Sequence, residues 1–467
     1  MAIIGLILLV GSVFLAVAAP ILTPYDPQKD IVSGILAQPA WVMNFPDGYY
    51  LSQNVLAVND PSFSSPSSAQ AWTLDAPSTA QQNLVLSYSN AAPPGSSGSL
   101  QLSYLGTDPA NATVSTTFSF PYHGPPQSFI GTIQLLMSGA NATTPIHIRL
   151  FIDRLGDQSF TLWSQNITSS NGWLTPPFGQ NAAYTSESDQ VKIALGMQSA
   201  PYSPAQIIFS SLQKYSIGVQ FIFYGPQKVN ISNFQLKLLG TAWGLLGTDS
   251  NGNDVVTQVL YGGQTSLTIG LVAAGIGIGL GLVIGLVSGF LGGIIDQVLM
   301  RGTDMVLVIP QLPLLLVLIA VLGPSYLNII LVIGFFSWMG FARIIRSQVL
   351  TLKERPFVEA AKAAGSGTGR IITRHIFPNI VSLTYVNLAL TVPAAIITEA
   401  ALGFLGLFDP SVPSWGHMFF TADTTGGLTR WWWVLPPGIG IAAVSLSFIL
   451  IGYALDEIFN PKLRQRR

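Results

Sequence analysis

Six stretches of this chain are too long and too apolar to be kept together in water as one soluble core. They are residues 2–22, 267–291, 305–322, 327–341, 380–407 and 433–454. A helix needs roughly 20 apolar residues to cross a hydrocarbon layer about 30 Å thick. Helices meet the second demand of that layer as well, because they satisfy every backbone hydrogen bond internally. The third and fourth stretches are short and are separated by Gly323-Pro324-Ser325-Tyr326, which reads as a tight turn. Pro310 and Pro313 predict a kink in the third. In the second, Gly277, Gly281, Gly285 and Gly289 recur every four residues, a face on which another helix can approach closely. The expected core is an α-helical polytopic membrane protein with six spans.

Charge gives the orientation. Only 9% of the residues are charged, against about 25% in soluble domains. Residues 241–467 hold 13 Lys and Arg, and 12 of them fall on one face: Arg301, the loop 343–378 and the tail Lys462, Arg464, Arg466 and Arg467. Arg430 lies opposite. This bias marks the basic face as cytoplasmic and puts both termini there, at the cell membrane. Leu15-Ala16-Val17-Ala18-Ala19 also resembles the cleavage site of a signal peptide, but no basic residue precedes the apolar run and Pro20 follows the site, so an anchor is favoured. A net charge of −1 argues against a nucleic-acid partner. The absence of cysteine excludes disulfides, thiolate metal sites and cysteine nucleophiles.

Between the first two spans the text changes. Residues 31–240 are rich in Ser, Thr, Asn and Pro, with short β-favouring runs at 84–88, 115–120, 146–151, 192–195, 217–224 and 233–239. Strands of this length between turn clusters predict an all-β external domain, a sandwich of jelly-roll type. Residues 59–70 are polar enough to be a linker or disordered segment. Four Asn-x-Ser/Thr sequons begin at Asn111, Asn141, Asn166 and Asn230, candidate N-glycosylation sites that agree with an external location. Asp153 and Asp157 are read as solvated loop charges rather than a glycosidase pair. The domains expected are 1–30 (first span and exit), 31–240 (insert) and 241–467 (five-span core).

Much chemistry is missing from the sequence. It contains no G-x-x-x-x-G-K-[ST] loop, no HExxH and no GxSxG, and its four His are scattered. The chain is therefore not expected to be an enzyme or to bind a nucleotide, metal or other cofactor itself. One carboxylate, Glu399, lies well inside a span, and an intramembrane carboxylate is a functional candidate by default.

The loop at 343–378 has internal order beyond its basic content. Arg355-Pro356 opens a helix, since proline suits a first turn. Glu359 lies near the positive helix end, and Ala360, Ala361, Ala363 and Ala364 are slim, strong helix formers. Gly365-Ser366-Gly367-Thr368-Gly369 stops that helix. Arg370 to Phe377 starts a second, with Ile371, Ile372 and Ile376 forming an apolar face and Pro378 ending it. Glu359-Ala360-Ala361, Gly365 and Pro378 resemble the EAA motif of ABC-importer permeases. Arg374-His375-Ile376-Phe377-Pro378-Asn379 resembles the ending found in their dipeptide/oligopeptide/nickel branch.

The resemblance runs from about Leu245 to Arg464. It includes Leu246-Gly247-Thr248-Asp249 with Gly252 and Asp254, Leu260-Tyr261-Gly262, and Gly292-Gly293 with Asp296, Arg301 and Asp304. It continues through 402–407, Pro413-Ser414-Trp415-Gly416 and Asn460-Pro461-Lys462-Leu463-Arg464. Asn253 and Gln264 stand where the branch commonly has Arg, and the large insert has no counterpart in it. The resemblance implies a permease subunit, half of a translocation pathway in the lipid membrane, paired with a homologous permease. Two ATPase subunits carrying ATP and Mg would dock on Glu359, Ala360, Ala361, Gly365, Arg370, Arg374, His375 and Pro378, and an external solute-binding protein would deliver the solute. Di- or oligopeptides are the branch's usual solutes; oligosaccharides and metal chelates are carried by close relatives. Glu399 and Trp415 are candidates for the translocation path or outer gate. The alternative is a membrane-anchored receptor or glycan-binding surface protein acting through the β domain. The cysteine-free chain with its large insert agrees with an archaeal cell surface.

Overall fold

The computed structural model describes residues 2–168, 172–175, 183–200, 202–210 and 212–459. The tail cations Lys462, Arg464, Arg466 and Arg467, and the 460–464 motif, lie outside them. The chain divides into two compact units, 31–252 and the remainder, 1–30 with 253–467.

The first unit is all-β at its core. Its strands are β1 (Gln38–Pro39), β2 (Val55–Leu56), β3 (Thr73–Asp75), β4 (Leu84–Ser89), β5 (Ser99–Tyr104), β6 (Ala110–Phe120) and β7 (Ser128–Ser138). They continue as β8 (Ile146–Arg154), β9 (Gln158–Ile167), β10 (Ala183–Thr185), β11 (Gln213–Phe223), β12 (Gln227–Leu239) and β13 (Ala242–Trp243). One sheet has the order β10-β7-β12-β5-β4 with β2 added on β12; the other is β3-β6-β11-β8-β9. From β5 to β12 every step but the β8–β9 hairpin changes sheet, which is the wiring of an eight-stranded jelly roll. Alternation drives the packing. Along β6, Ala110, Ala112, Val114, Thr116, Phe118 and Phe120 are buried while the residues between them are more open. Leu100, Phe129 and Ile231 of one sheet share a single core with Ile148, Val219 and Phe221 of the other.

Three expectations for this unit fail. Residues 192–195 are not a strand: Asp189–Ala194 is a helix, with Asp189 in its first turn and Val191 its one buried side chain. Residues 59–70 are ordered, because Phe63 is fully buried and the Asp60 carboxylate gathers Ser62, Ser64 and Ser68 around it. Asn230 is 5% exposed and its amide donates to Ser99 Oγ at 3.2 Å, so the folded domain hides that sequon. Asn111, Asn141 and Asn166 are exposed. Asp157 pairs with Arg154 at 3.0 Å in the β8–β9 turn.

The helical unit comprises α1 (Ala2–Val17), α2 (Val255–Leu291), α3 (Gly293–Val308), α4 (Gln311–Leu322), α5 (Tyr326–Phe336) and α6 (Trp338–Leu352). It continues with α7 (Pro356–Ala363), α8 (Thr368–Ile371), α9 (Phe377–Phe404), α10 (Trp415–Thr424) and α11 (Trp431–Phe459). Among the described residues, four helices are long and apolar enough to cross a membrane, or five if α3 and α4, bent by 90°, count as one; α1 is a shorter apolar helix. The bend falls at Ile309-Pro310. Pro313 causes none of it, since it lies in the first turn of α4, where a missing N–H goes unnoticed.

The glycine stripe explains how α2 packs. A Cβ on Gly281 would meet Trp338 O at 2.7 Å, one on Gly285 would meet Ala342 O at 2.6 Å, and one on Gly289 would meet Val349 Cβ at 2.8 Å. The backbone of α6 therefore lies directly on the stripe. Helix α6 runs on to Leu352, well past the expected span end at 341. It continues because Phe341, Ala342, Ile345 and Val349 keep one buried face going at helical spacing.

Candidate functional site

The basic end of the helical unit is built from α6, α7, α8 and the start of α9. Pro356 opens α7 at its first position and Glu359 follows in the first turn. The helix ends in a Schellman motif: Gly365 N donates to Lys362 O at 2.9 Å and Ser366 N to Ala361 O at 3.1 Å. Gly365 takes φ +78°, the left-handed torsion that this cap requires. Nothing crowds its missing Cβ, so the torsion alone explains the glycine.

The segment has two faces. Val358 and Ala361 are buried with Ile371 and Ile376 against Leu286 of α2 and Ile345 and Val349 of α6. Glu359, Ala360, Ala363, Arg370 and Arg374 are exposed, and His375 is half-buried. Ala361 is thus part of the packing rather than of the free face. Phe357, one turn before Ala360 and Ala361, is 41% exposed; an apolar ring beside a proline gave no sequence signal.

Pro378 does not end a helix. Residues Ile372–Ile376 form a wide π turn and the chain runs on into α9, so 368–404 is one continuous rod. A proline inside a helix lacks one donor and crowds the carbonyl four residues before it. A π turn widens the helix at that point and relieves the clash.

Two ion pairs fasten α3 to α6. Arg346 grips Asp296 through Nε and Nη2, both at 2.6 Å, and Ser288 of α2 donates to the same carboxylate. Arg343 pairs with Asp304. Charge counting had placed these arginines in a loop; their carboxylate partners lie 39 and 50 residues away in sequence, out of reach of any local pattern.

At the other end of the unit the structure brings Glu399 and Trp415 together, but inside the protein. Glu399 is 3% exposed and accepts from Ser266 Oγ at 2.8 Å. Trp415 is 4% exposed; its indole N–H donates to Val259 O at 3.0 Å, and its ring covers Gly263 and Gly440. The two residues lock α2, α9 and α10 to one another, and Trp415 also lines a small cavity of about 90 Å³ with Ser12, Val259 and Val444.

A groove of about 590 Å³ lies on the helical unit. It runs along the 306–311 bend, the α5–α6 junction and one face of α9. Its polar members are Gln311, Ser337, Asn387, Thr391 and Thr398, and among the described residues no ionisable side chain lines it.

The family of binding-protein-dependent transport system inner membrane components matches residues 281–465. A dipeptide transport system permease protein, DppC, of Alkalihalophilus pseudofirmus is 38% identical over 220 residues, covering 47% of this chain and 72% of the relative. DppC of Escherichia coli K12 is 41% identical over 228 residues, 48% of this chain and 75% of the relative. Among solved structures, the MetNI methionine ABC transporter in an inward-facing conformation has 18% identity and a TM-score of 0.34, covering 44% of this chain and 95% of that one. At 38 to 41% identity over some three quarters of two peptide-transport permeases, this multi-pass membrane chain belongs to the binding-protein-dependent transport system inner membrane component family.

Proposed function

We propose that the chain is one of two permease subunits of an ATP-driven importer of di- or oligopeptides, coupled to separate ATPase subunits through α7. The observation that carries the coupling is the two-faced α7. Its inner face, Val358 and Ala361, is packed into the ends of α2 and α6, while its outer face of Glu359, Ala360 and Phe357 is free. A partner that pushes on the free face moves the spans with it, because buried side chains transmit displacement rather than absorb it. Closure of an ATPase pair on binding ATP and Mg would thus bias the bundle between two arrangements. The peptide assignment rests on the DppC relatives.

In this reading six spans put both termini and α7 in the cytoplasm. The β unit is external, carrying glycans at Asn111, Asn141 and Asn166 and meeting the solute-binding protein or the solute. Gly365→Val tests the coupling. A β-branched residue at φ +78° is strained and breaks the Schellman cap. Reconstituted with its partners, the variant should hydrolyse ATP without ATP-driven peptide uptake. Uptake at the unaltered rate would sink the docking assignment.

A further inference from the structure

We infer that the α9 side of the groove is an acceptor ladder that takes the N–H groups of the moving solute, its backbone amides and amino terminus. This inference rests on the peptide-importer reading. Asn387, Thr391 and Thr398 follow one another at spacings of four and seven, so they share one face of α9. Ser337 joins them from the α5–α6 junction.

What these side chains offer follows from what they have already used. A hydroxyl has one donor and two lone pairs. Ser337 Oγ donates to Ile333 O at 2.6 Å, Thr391 Oγ1 to Asn387 O at 2.8 Å and Thr398 Oγ1 to Ala394 O at 2.7 Å. All three donors are therefore spent on the helix backbone four residues back. Asn387 spends one of its two N–H groups on Leu383 O at 2.8 Å, which leaves its Oδ1 as an acceptor. The result is three hydroxyl oxygens and an amide oxygen with a single N–H among them. A carboxylate or carbonyl finds few donors on such a wall, whereas an ammonium or peptide N–H finds acceptors in sequence.

The rest of the lining favours passage over capture. Leu314, Met339, Ile344 and Leu390 are apolar, Gln311 is a neutral amide, and among the described residues no fixed charge in the lining holds or repels a charged side chain. A ladder of weak, equivalent acceptors reads the backbone common to all peptides and ignores what distinguishes them.

The test uses the whole importer in proteoliposomes, with this chain, its paired permease, the ATPases and the binding protein. It compares uptake of a tripeptide with that of its backbone N-methylated analogue. Thr391→Val with Thr398→Val keeps the shape and removes two acceptors. The preference for the unmethylated peptide should fall about two- to tenfold against the unaltered chain, the worth of one hydrogen bond. Discrimination by the binding protein cancels, because it is the same in both samples. Thr391→Ser with Thr398→Ser should keep the preference. If the double valine variant fails to assemble, Thr391→Val alone should show the same direction of change. An unchanged preference in an assembled valine variant overturns the ladder and leaves the peptide reading standing. Uptake of neither peptide by the unaltered complex overturns both.

Discussion

At Gly365 one torsion decides the geometry of a whole segment, and that need was legible beforehand because only glycine adopts it without strain. Pro378 was legible as a special residue but not in its role. A proline can stop a helix or follow a widened turn within one, and which happens depends on Ile372–Ile376 folding as a π turn. Asn230 and Glu399 mark the same limit. Their types named the chemistry but not the partners, since the Ser99 and Ser266 hydroxyls that bond to them inside the fold lie more than 130 residues away. Asp60 allows a pH test. Burial raises its pKa, but hydrogen bonds from Ser68, Ser64 and Ser62 outweigh that and hold it at about 2, below its ordinary 3.8. A carboxylate depressed in the folded state stabilises it above the unfolded pKa, and that stabilisation is lost as pH falls through the folded one. Thermal melts of the β unit should therefore lose midpoint between pH 4 and about 2, and Asp60→Asn should flatten that part of the profile.

Among whole elements, period was the reliable guide. The four-residue glycine repeat implied a close helix neighbour, and α6 provides it through backbone contact. Partner and extent were hidden, since nothing local says which helix lies on the stripe or that α6 continues to Leu352. In the β unit the run at 192–195 is a short helix burying one valine, because four residues cannot separate the two periods, and the alternating strands β5 and β7 fall outside the expected runs. Gly285→Val would drive a side chain into Ala342 O and Ile345, and should cost about 1–3 kcal/mol by overpacking. Gly279 has open space around its missing Cβ, so Gly279→Val on the same helix should be nearly silent. Melting both in detergent by intrinsic fluorescence checks the contrast; equal losses would mean the stripe is not a packing face.

For the molecule as a whole, the composition shift near residue 31 was the clearest signal in the sequence; the compact β unit runs from Ile31 to Gly252, past the expected end at 240. Replacing 31–252 by a short linker should leave the helical unit able to assemble with a partner permease, as read on a native gel. Failure to assemble would show that the membrane part needs the β unit. The strand wiring behind that boundary was beyond local pattern, because jelly-roll neighbours such as β5 and β12 are more than 120 residues apart.

The neck of the β unit has a further consequence. Its two ends are stitched side by side: Val32 N donates to Gly252 O at 2.9 Å, and Gln38 and Pro39 run in register with Ala242 and Trp243. A slack tether of about 220 residues would cost about 3 kcal/mol more to close than one of six. Once the neck is formed, the chain before it and the chain after it are as near as across a short hairpin, whatever hangs beyond. Such a neck makes the unit a cartridge: lineages can enlarge, trade or discard it without asking the membrane helices to fold again.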